Sequence, residues 1–349
     1  MKKYKYSQQI SLGKDSQGKR IRKWIYANSK NELALKKAQM QEQYTDCAVP
    51  LDISFGQYSE KWLDVFKSSR EAATKRMYEN ALRHMEKLYS YPIRNIRAIE
   101  LQEVINENAE HPRVCQQIVL TLKQIWKSAI RDGITAKNAA DSLDLPKYKA
   151  AEGRALKPEE KTALRNCCLD PTDRMYIDTL YYLGLRPAEA LGLMPCDFDF
   201  TSNTVKISRA VGYNGNTPYV KATKTNEIRK IPLSVEYIQK LKPYLQSLKS
   251  LYLFNCNGKL MSKTVKSDMW IRIKKEINLQ LGGTGKLDMT DGLRPYTFRH
   301  NFCCTCYYAG LTPLMTSRLM GNSPAMVMNV YAHLDESKED TSFLARLTM

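Results

Sequence analysis

Six side chains in the C-terminal half of the chain are of types that can act together on a phosphate ester. The segment GLRPAEAL places Arg186 just after Gly184 at a helix-to-helix corner, with Glu189 three residues on. KATKTNEIRKIPL places Lys224 beside a strand, and RPYTFRH sets Arg299 at a helix start, with Tyr296 three residues before it and His300 immediately after. LMGNS puts Asn322 in a tight turn, and Tyr331 follows nine residues later in NSPAMVMNVYAHL. Two guanidiniums can clamp the non-bridging oxygens of a crowded, anionic phosphorus centre. A phenol, with a pKa near ~10, attacks well only once its proton is lost, and nearby arginine charge favours the phenolate. A lysine can return a proton to a departing oxygen. A tyrosine hydroxyl and an asparagine amide can each donate to a phosphate oxygen, although neither titrates near neutrality as histidine does. Each residue also has a plainer reading. Arg186 and Glu189 suit a surface helix pair. Lys224 has basic neighbours in Lys221, Arg229 and Lys230; Arg299 and His300 suit a structural network; and His333 suits a helix end. Tyr331 is one of 21 tyrosines, and a core aromatic would serve equally at its position.

The elements that must hold these residues can be traced from patterning. Ser323 is a good N-cap and Pro324 suits the first turn of a helix that carries Val327, Met328 and Tyr331 on one face. The third region of the chain, from about 155 to the end, begins with helix-like KPEEKTALRNC and PTDRMYIDTLYYLG. Strand-like TVKISRA and EIRKIPL follow, bracketing the turn-rich GYNGNTP. Helices resume with SVEYIQKLKPYLQSL, SDMWIRIKKEINLQL, FRHNFCCTCYYAG and PLMTSRLMG. Upstream, residues 53–150 have helical periodicity in FGQYSEKWLDVF, REAATKRMYENALRHMEKLY, AIELQEVINENA and PRVCQQIVLTLKQIWKSAIRDG, with Gly133 where a C-cap belongs. That pattern predicts a compact four-helix domain. At the N-terminus, YKYSQQISL and RIRKWIYA alternate polar and apolar residues around GKDSQGK, which predicts a hairpin. The capping box SKNE then starts the helix ELALKKAQMQEQY. TDCAVPLD (45–52) and DLPKYKAAEGRAL (144–156) read as linkers. The expected fold is multidomain and mainly α: a small basic β-sheet-plus-helix module, a four-helix domain, and a mixed α+β domain, mostly helical, with a β-hairpin.

Composition narrows the partner. The 349 residues carry a formal net charge of +18. Residues 1–40 hold eleven Lys or Arg against two acids, a net +9 in about a ninth of the chain. A basic terminal arm favours a polyanion, of which DNA or RNA is the commonest, though a solvated tail has the same composition. The nine cysteines form no paired CxxC frame, so neither a zinc ribbon nor a disulfide framework is supported. Cys303, Cys304 and Cys306 follow His300 closely but read as small apolar residues. No stretch approaches the apolar length of a membrane span, and the charged N-terminus is not followed by the apolar run of a signal peptide, so a cytoplasmic protein is expected. Nothing resembles a GxxxxGK[ST] phosphate loop or an acidic metal cluster.

Arg186, Lys224, Arg299 and Tyr331, in this order and these settings, resemble the tyrosine recombinase (phage integrase) family. GLRPAEALGL is similar to its first arginine box, YTFRH to its HxxRH box, and LMGNSPAMVMNVYAHL to its nucleophile box, including His333. The resemblance spans most of the chain, since the larger integrases of phages and integrative mobile elements also carry an N-terminal arm-binding module and a helical core-binding domain. It implies an arm-type DNA-binding domain at residues 1–48, with Lys19, Arg20, Arg22 and Lys23 on DNA. It further implies a SAM-like core-binding domain at 53–150 and a catalytic domain at 155–349. The implied catalytic set is Arg186, Lys224, Tyr296, Arg299, Asn322 and Tyr331, with Tyr331 as nucleophile. Its covalent 3′-phosphotyrosyl intermediate conserves bond energy, so the implied cofactors are none: no ATP and no metal. The implied partners are double-stranded DNA attachment sites, a homotetramer in the synaptic complex, and an excisionase or DNA-bending factor. The C-terminal DESKEDTSFLARLTM is expected to pack on a neighbouring subunit. Two positions depart from the family pattern: Tyr296 stands where its box usually begins with His, and Asn322 where His or Trp is usual. These departures keep open a recombinase-derived DNA-binding regulator with weakened chemistry. A relaxing topoisomerase of similar mechanism is the other alternative, and the separate basic arm favours a recombinase.

Overall fold

The computed structural model describes residues 5–14, 20–45, 52–148, 153–224 and 227–336. The chain divides into two units, Met1–Ala150 and Ala151–Met349, and the division falls inside the expected second linker. Among the described residues no helix is long and apolar enough to cross a membrane.

The first unit opens with the expected hairpin. Strands β1 (Tyr6–Lys14) and β2 (Arg20–Ala27) pair antiparallel, with Tyr6 opposite Ala27 and Ser11 opposite Arg22. Side chains alternate across the pleat, so Ile10, Ile25 and Ala27 are buried while Arg22, Trp24 and Tyr26 are exposed. Helix α1 (Lys30–Thr45) starts at the expected capping box: the Ser29 hydroxyl accepts the Glu32 amide at 3.1 Å, and the Glu32 carboxylate accepts the Asn28 amide at 2.9 Å.

Helices α2 (Phe55–Lys67), α3 (Ala72–Arg83), α4 (Ala98–Glu107) and α5 (Pro112–Arg131) enclose a core in which Phe55 and Trp126 sit 5.5 Å apart. Gly133, at φ 71°, takes the left-handed conformation expected past the end of α5. One expectation fails. The pattern over 70–89 reads as a single helix, but α3 stops at Arg83 and a 3₁₀ turn follows at Glu86–Leu88. Leu82, Met85 and Leu88 are all buried at a spacing of three, which a tighter three-residue turn keeps on one face and a 3.6-residue helix does not.

The second unit starts with α6 (Pro158–Asn166), α7 (Pro171–Leu183) and the one-turn α8 (Pro187–Ala190). Three short strands, β3 (Phe198–Asp199), β4 (Thr204–Ile207) and β7 (Arg229–Pro232), form an antiparallel sheet in the order β3-β4-β7. Between β4 and β7 lies a separate hairpin of β5 (Arg209–Asn214) and β6 (Thr217–Ala222). GYNGNTP is therefore not a loop insertion but the tip and flanks of that hairpin, and TVKISRA is divided between β4 and β5. After α9 (Val235–Ser247) and the small hairpin β8 (Asn255–Cys256) and β9 (Lys259–Leu260), four helices complete the unit: α10 (Lys263–Gln280), α11 (Pro295–Tyr308), α12 (Pro313–Met320) and α13 (Pro324–Glu336). Tyr176, Leu180 and Leu183 of α7 pack with Tyr237, Phe254 and Phe298 in the core. Within DESKEDTSFLARLTM, residues 337–349 lie outside the described residues.

Candidate active site

The guanidiniums of Arg186 and Arg299 are brought together by helix ends. Helix α7 closes at Gly184, whose φ of 58° is a left-handed conformation, and a Cβ there would meet the Phe302 ring at 2.4 Å. That turn places Arg186 at the start of α8, just ahead of Pro187. Helix α11 begins at Pro295 and carries Arg299 in its second turn, only 5% exposed. Helix α12 ends at Gly321, again left-handed at 65°, which turns the chain so that Asn322 precedes α13.

Arg299 donates to the carbonyls of Gly184 at 2.8 Å and Met320 at 2.6 Å, and to the Asn322 amide oxygen at 2.8 Å. Arg186 donates to the same Asn322 oxygen at 2.9 Å, to the Gly321 carbonyl at 2.5 Å and to the Glu189 carboxylate at 2.7 Å. One amide oxygen thus joins the two guanidiniums. With that oxygen engaged, the Asn322 NH₂ is the half of the amide left to donate to an incoming group. Glu189, 1% exposed, also accepts from Arg229 at 2.6 Å. Burial alone would raise its carboxyl pKa, but Arg229 and then Arg186 hold it below the ordinary carboxylate range. Burial, and then the like charge of Arg186, bring the Arg299 guanidinium down to about 10, still protonated at neutral pH. Three guanidiniums against one carboxylate leave positive charge uncompensated in a water-poor setting, which favours binding a dianion-like centre.

This cluster borders a cavity of about 550 Å³ that Lys224, Tyr296, His300 and Asn322 also line. Tyr296 is 59% exposed beside it. Lys224 follows β6 at an exposed position, and the base of its loop is closed by the Thr223 hydroxyl donating to the Glu227 carbonyl at 3.0 Å. Arg186, Lys224, Tyr296, Arg299 and Asn322 are therefore assembled around one space.

Tyr331 is not presented to that space. Its ring is 6% exposed and meets Tyr307 edge-on at 4.9 Å, within a cluster containing Cys303, Met320 and Val327. Its hydroxyl lies 2.7 Å from Thr316 Oγ1 and donates to the Leu311 carbonyl at 3.1 Å. Burial pushes the phenol pKa up, against the pull of Thr316. The expectation that Val327 and Met328 both seat the helix is corrected: Val327 is 1% exposed but Met328 is 58% exposed. Val327 lies four residues before Tyr331 and shares its face, whereas the 100° step per residue carries Met328 off that face. Cys303, Cys304 and Cys306 are buried, and burial pushes the Cys303 thiol to about 12.

Sequence reasoning missed Arg229 as a cluster member, taking it only as a basic neighbour of Lys224. The available signal was strand alternation: Arg229 and the buried Ile231 lie on the same face of β7. In the N-terminal module, Lys19 lies outside the described residues, and Arg20 is placed only as the first residue of β2. Arg22 is on the open sheet face, which it shares with Trp24 and Tyr26; Lys23 alternates to the face of Ile25. The two aromatics on that open face were also missed.

The match to known proteins agrees with this architecture. The phage integrase family matches residues 156–338, more than half of the chain, and its N-terminal SAM-like domain matches residues 54–108. The chain belongs to the phage integrase family, the tyrosine recombinases. A tyrosine recombinase XerC-like protein of Caldanaerobacter subterraneus subsp. tengcongensis is 24% identical, over 94% of this chain and 92% of its own. A structure of a Tn1549 transposon integrase fragment in complex with a circular intermediate DNA superposes with a TM-score of 0.72, at 23% identity over 85% of this chain and 100% of that one. A lambda integrase tetramer bound to a Holliday junction superposes with a TM-score of 0.61, at 13% identity over 89% of this chain and 92% of that one.

Proposed function

We propose that the chain is a site-specific recombinase that cleaves and rejoins DNA at the cavity around Arg186 and Arg299, integrating or excising a mobile element. The observation that carries this reading is the pair of guanidiniums held 2.9 and 2.8 Å from one Asn322 oxygen, with Lys224 and Tyr296 at the same opening. A scissile phosphate seated there has its non-bridging oxygens stabilised by Arg186 and Arg299. The Tyr331 oxygen, its phenol proton released to water, attacks phosphorus, the P–O5′ bond breaks, and the phosphate becomes 3′-linked to the tyrosine. Lys224 supplies the proton that the departing 5′ oxygen takes up. Rejoining is the reverse displacement by a 5′ hydroxyl. Bond energy is conserved in the phosphotyrosine, and arginine supplies the charge stabilisation, so the step is written without ATP or metal.

In the seated conformation the Tyr331 hydroxyl faces Thr316 and Leu311, so α13 has to shift before attack. The lambda integrase tetramer bound to a Holliday junction supports a tetramer on a four-way junction for this chain. The transposon integrase on a circular intermediate supports a mobile-element role, and an excisionase or DNA-bending factor fits as an accessory partner. Residues 1–48 are proposed as an arm-type DNA-binding module that uses the open face of Arg22, Trp24 and Tyr26, with Lys19, Arg20 and Lys23 adding charge. Residues 53–150 are proposed as the core-binding domain.

The test is covalent capture. A pool of nicked suicide duplexes with randomised cores is incubated with the full chain, and DNA-linked protein is recovered and mapped. Adduct on the NVYAHL peptide is expected; adduct on another tyrosine, or none, overturns the reading.

A further inference from the structure

Arg229 is a buried cation with no part in the proposed attack, yet it touches both Glu189, the partner of Arg186, and the turn that leads to Asn322. It stands in β7 opposite Ile207 of β4, with its side chain 8% exposed. Its Nη2 donates to Glu189 Oε2 at 2.6 Å and its Nη1 to Glu189 Oε1 at 3.3 Å. The other donors to that carboxylate are the Arg186 guanidinium at 2.7 Å and the Arg186 amide at 3.1 Å. Its Nε donates to the Leu319 carbonyl at 2.8 Å, in the last turn before Asn322. A Cβ on Gly321 would lie 3.0 Å from Arg229 Nη1, so the turn and the guanidinium are already in close contact. Arg229 is the first residue of β7, five residues after Lys224 in the chain.

We infer that Arg229 is a positioning residue for strand cleavage: it fixes Glu189, and through it Arg186, to the turn that presents Asn322. The inference rests on the proposed cleavage site. Glu189 is a fully buried carboxylate shared by two guanidiniums. Without Arg229 its whole demand falls on Arg186, which is drawn off the phosphate, and the Leu319 carbonyl loses its donor. A buried planar fork with three directed donors is not replaced by lysine, which is a point charge on a flexible stem. The Arg229 side chain is 8% exposed and spends its donors on Glu189 and Leu319, so its loss is expected in rate and not in affinity.

The test uses the duplex selected by covalent capture on the wild-type chain, with Arg229→Met, Arg229→Lys, Glu189→Gln and the double variant Glu189→Gln/Arg229→Met. Single-turnover adduct formation at saturating DNA is expected to fall about 10²-fold in Arg229→Met, the scale set by a 1 Å misplacement in an active site. Affinity for the duplex is expected to hold within about twofold, since only transition-state interactions are lost. The acid limb of the rate–pH profile is expected to move to higher pH, because Arg229 is a principal reason the Glu189 carboxyl titrates low. Glu189→Gln has no carboxyl to titrate, so adding Arg229→Met to it is expected to move the limb no further. Arg229→Lys is expected to recover part of the rate, and it carries the same readings where Arg229→Met is too unstable to assay. Equal loss of affinity and rate, or a wild-type rate and profile in both Arg229 variants, overturns the inference. A wild-type chain that captures no duplex at all overturns the cleavage site itself, and is separable from failure of the Arg229 variants alone.

Discussion

Thr316→Val is the sharpest probe of the sequestered tyrosine. Thr316 is fully buried, and its hydroxyl sits 2.7 Å from that of Tyr331. Valine matches its shape without the hydroxyl, so packing around the Tyr307 and Tyr331 rings is kept. The seated Tyr331 keeps one acceptor, the Leu311 carbonyl at 3.1 Å. No orphaned donor is created, and the cost to the seated state is that of one net hydrogen bond, about 1 kcal/mol. If cleavage draws on a minor population with Tyr331 released, the rate scales with that population, and about 1 kcal/mol converts to a roughly fivefold rise. The assay is single-turnover adduct formation on the captured suicide duplex, quenched in denaturant, beside a thermal melt. The variant is expected to cut about fivefold faster while its melting point falls by about 2–4 °C. A rate that is unchanged or slower at the lower melting point would show that the Thr316 contact does not restrain the nucleophile.

Three further outcomes are expected. Tyr331→Phe abolishes the adduct, yet it is not silent in folding: Thr316 Oγ1 and the Leu311 carbonyl lose their partner, so a melt should show about 1–3 kcal/mol of destabilisation; an adduct that survives refutes the nucleophile. Arg186→Ala and Arg299→Lys are each expected to remove cleavage while leaving core-duplex affinity within about threefold in a titration, the pattern of a transition-state contact; affinity falling in step with rate would make that residue a DNA-binding contact. Lysine is chosen at Arg299 because its carbonyl partners at Gly184 and Met320 are buried with it. Deleting residues 1–45 is expected to flatten the slope of log affinity against log salt on a full attachment site while core cleavage persists; an unchanged slope refutes the arm module.

Local signals in the chain were read correctly where one short-range rule decides. Gly133, Gly184 and Gly321 end helices because a left-handed residue is needed there and glycine adopts it without strain. The SKNE box starts α1, and the segments around Arg186, Lys224, Arg299 and Asn322 specified the family and five residues of one cavity. Spacing alone did not reveal what those residues hold on to. That Asn322 uses its carbonyl oxygen to join two arginines depends on α7, α11 and α12 converging, and no local rule sets that approach. Arg229 lies 40 residues from Glu189 in sequence, and only the β4–β7 pairing brings it back. The seat of Tyr331 is the clearest case. Phenol, helix and N-terminal proline were all legible at 323–331, but the direction of the hydroxyl was settled by Thr316 and Leu311 on a separate element. A helix face has two flanks, and the side chains packed against each decide which way its tyrosine turns.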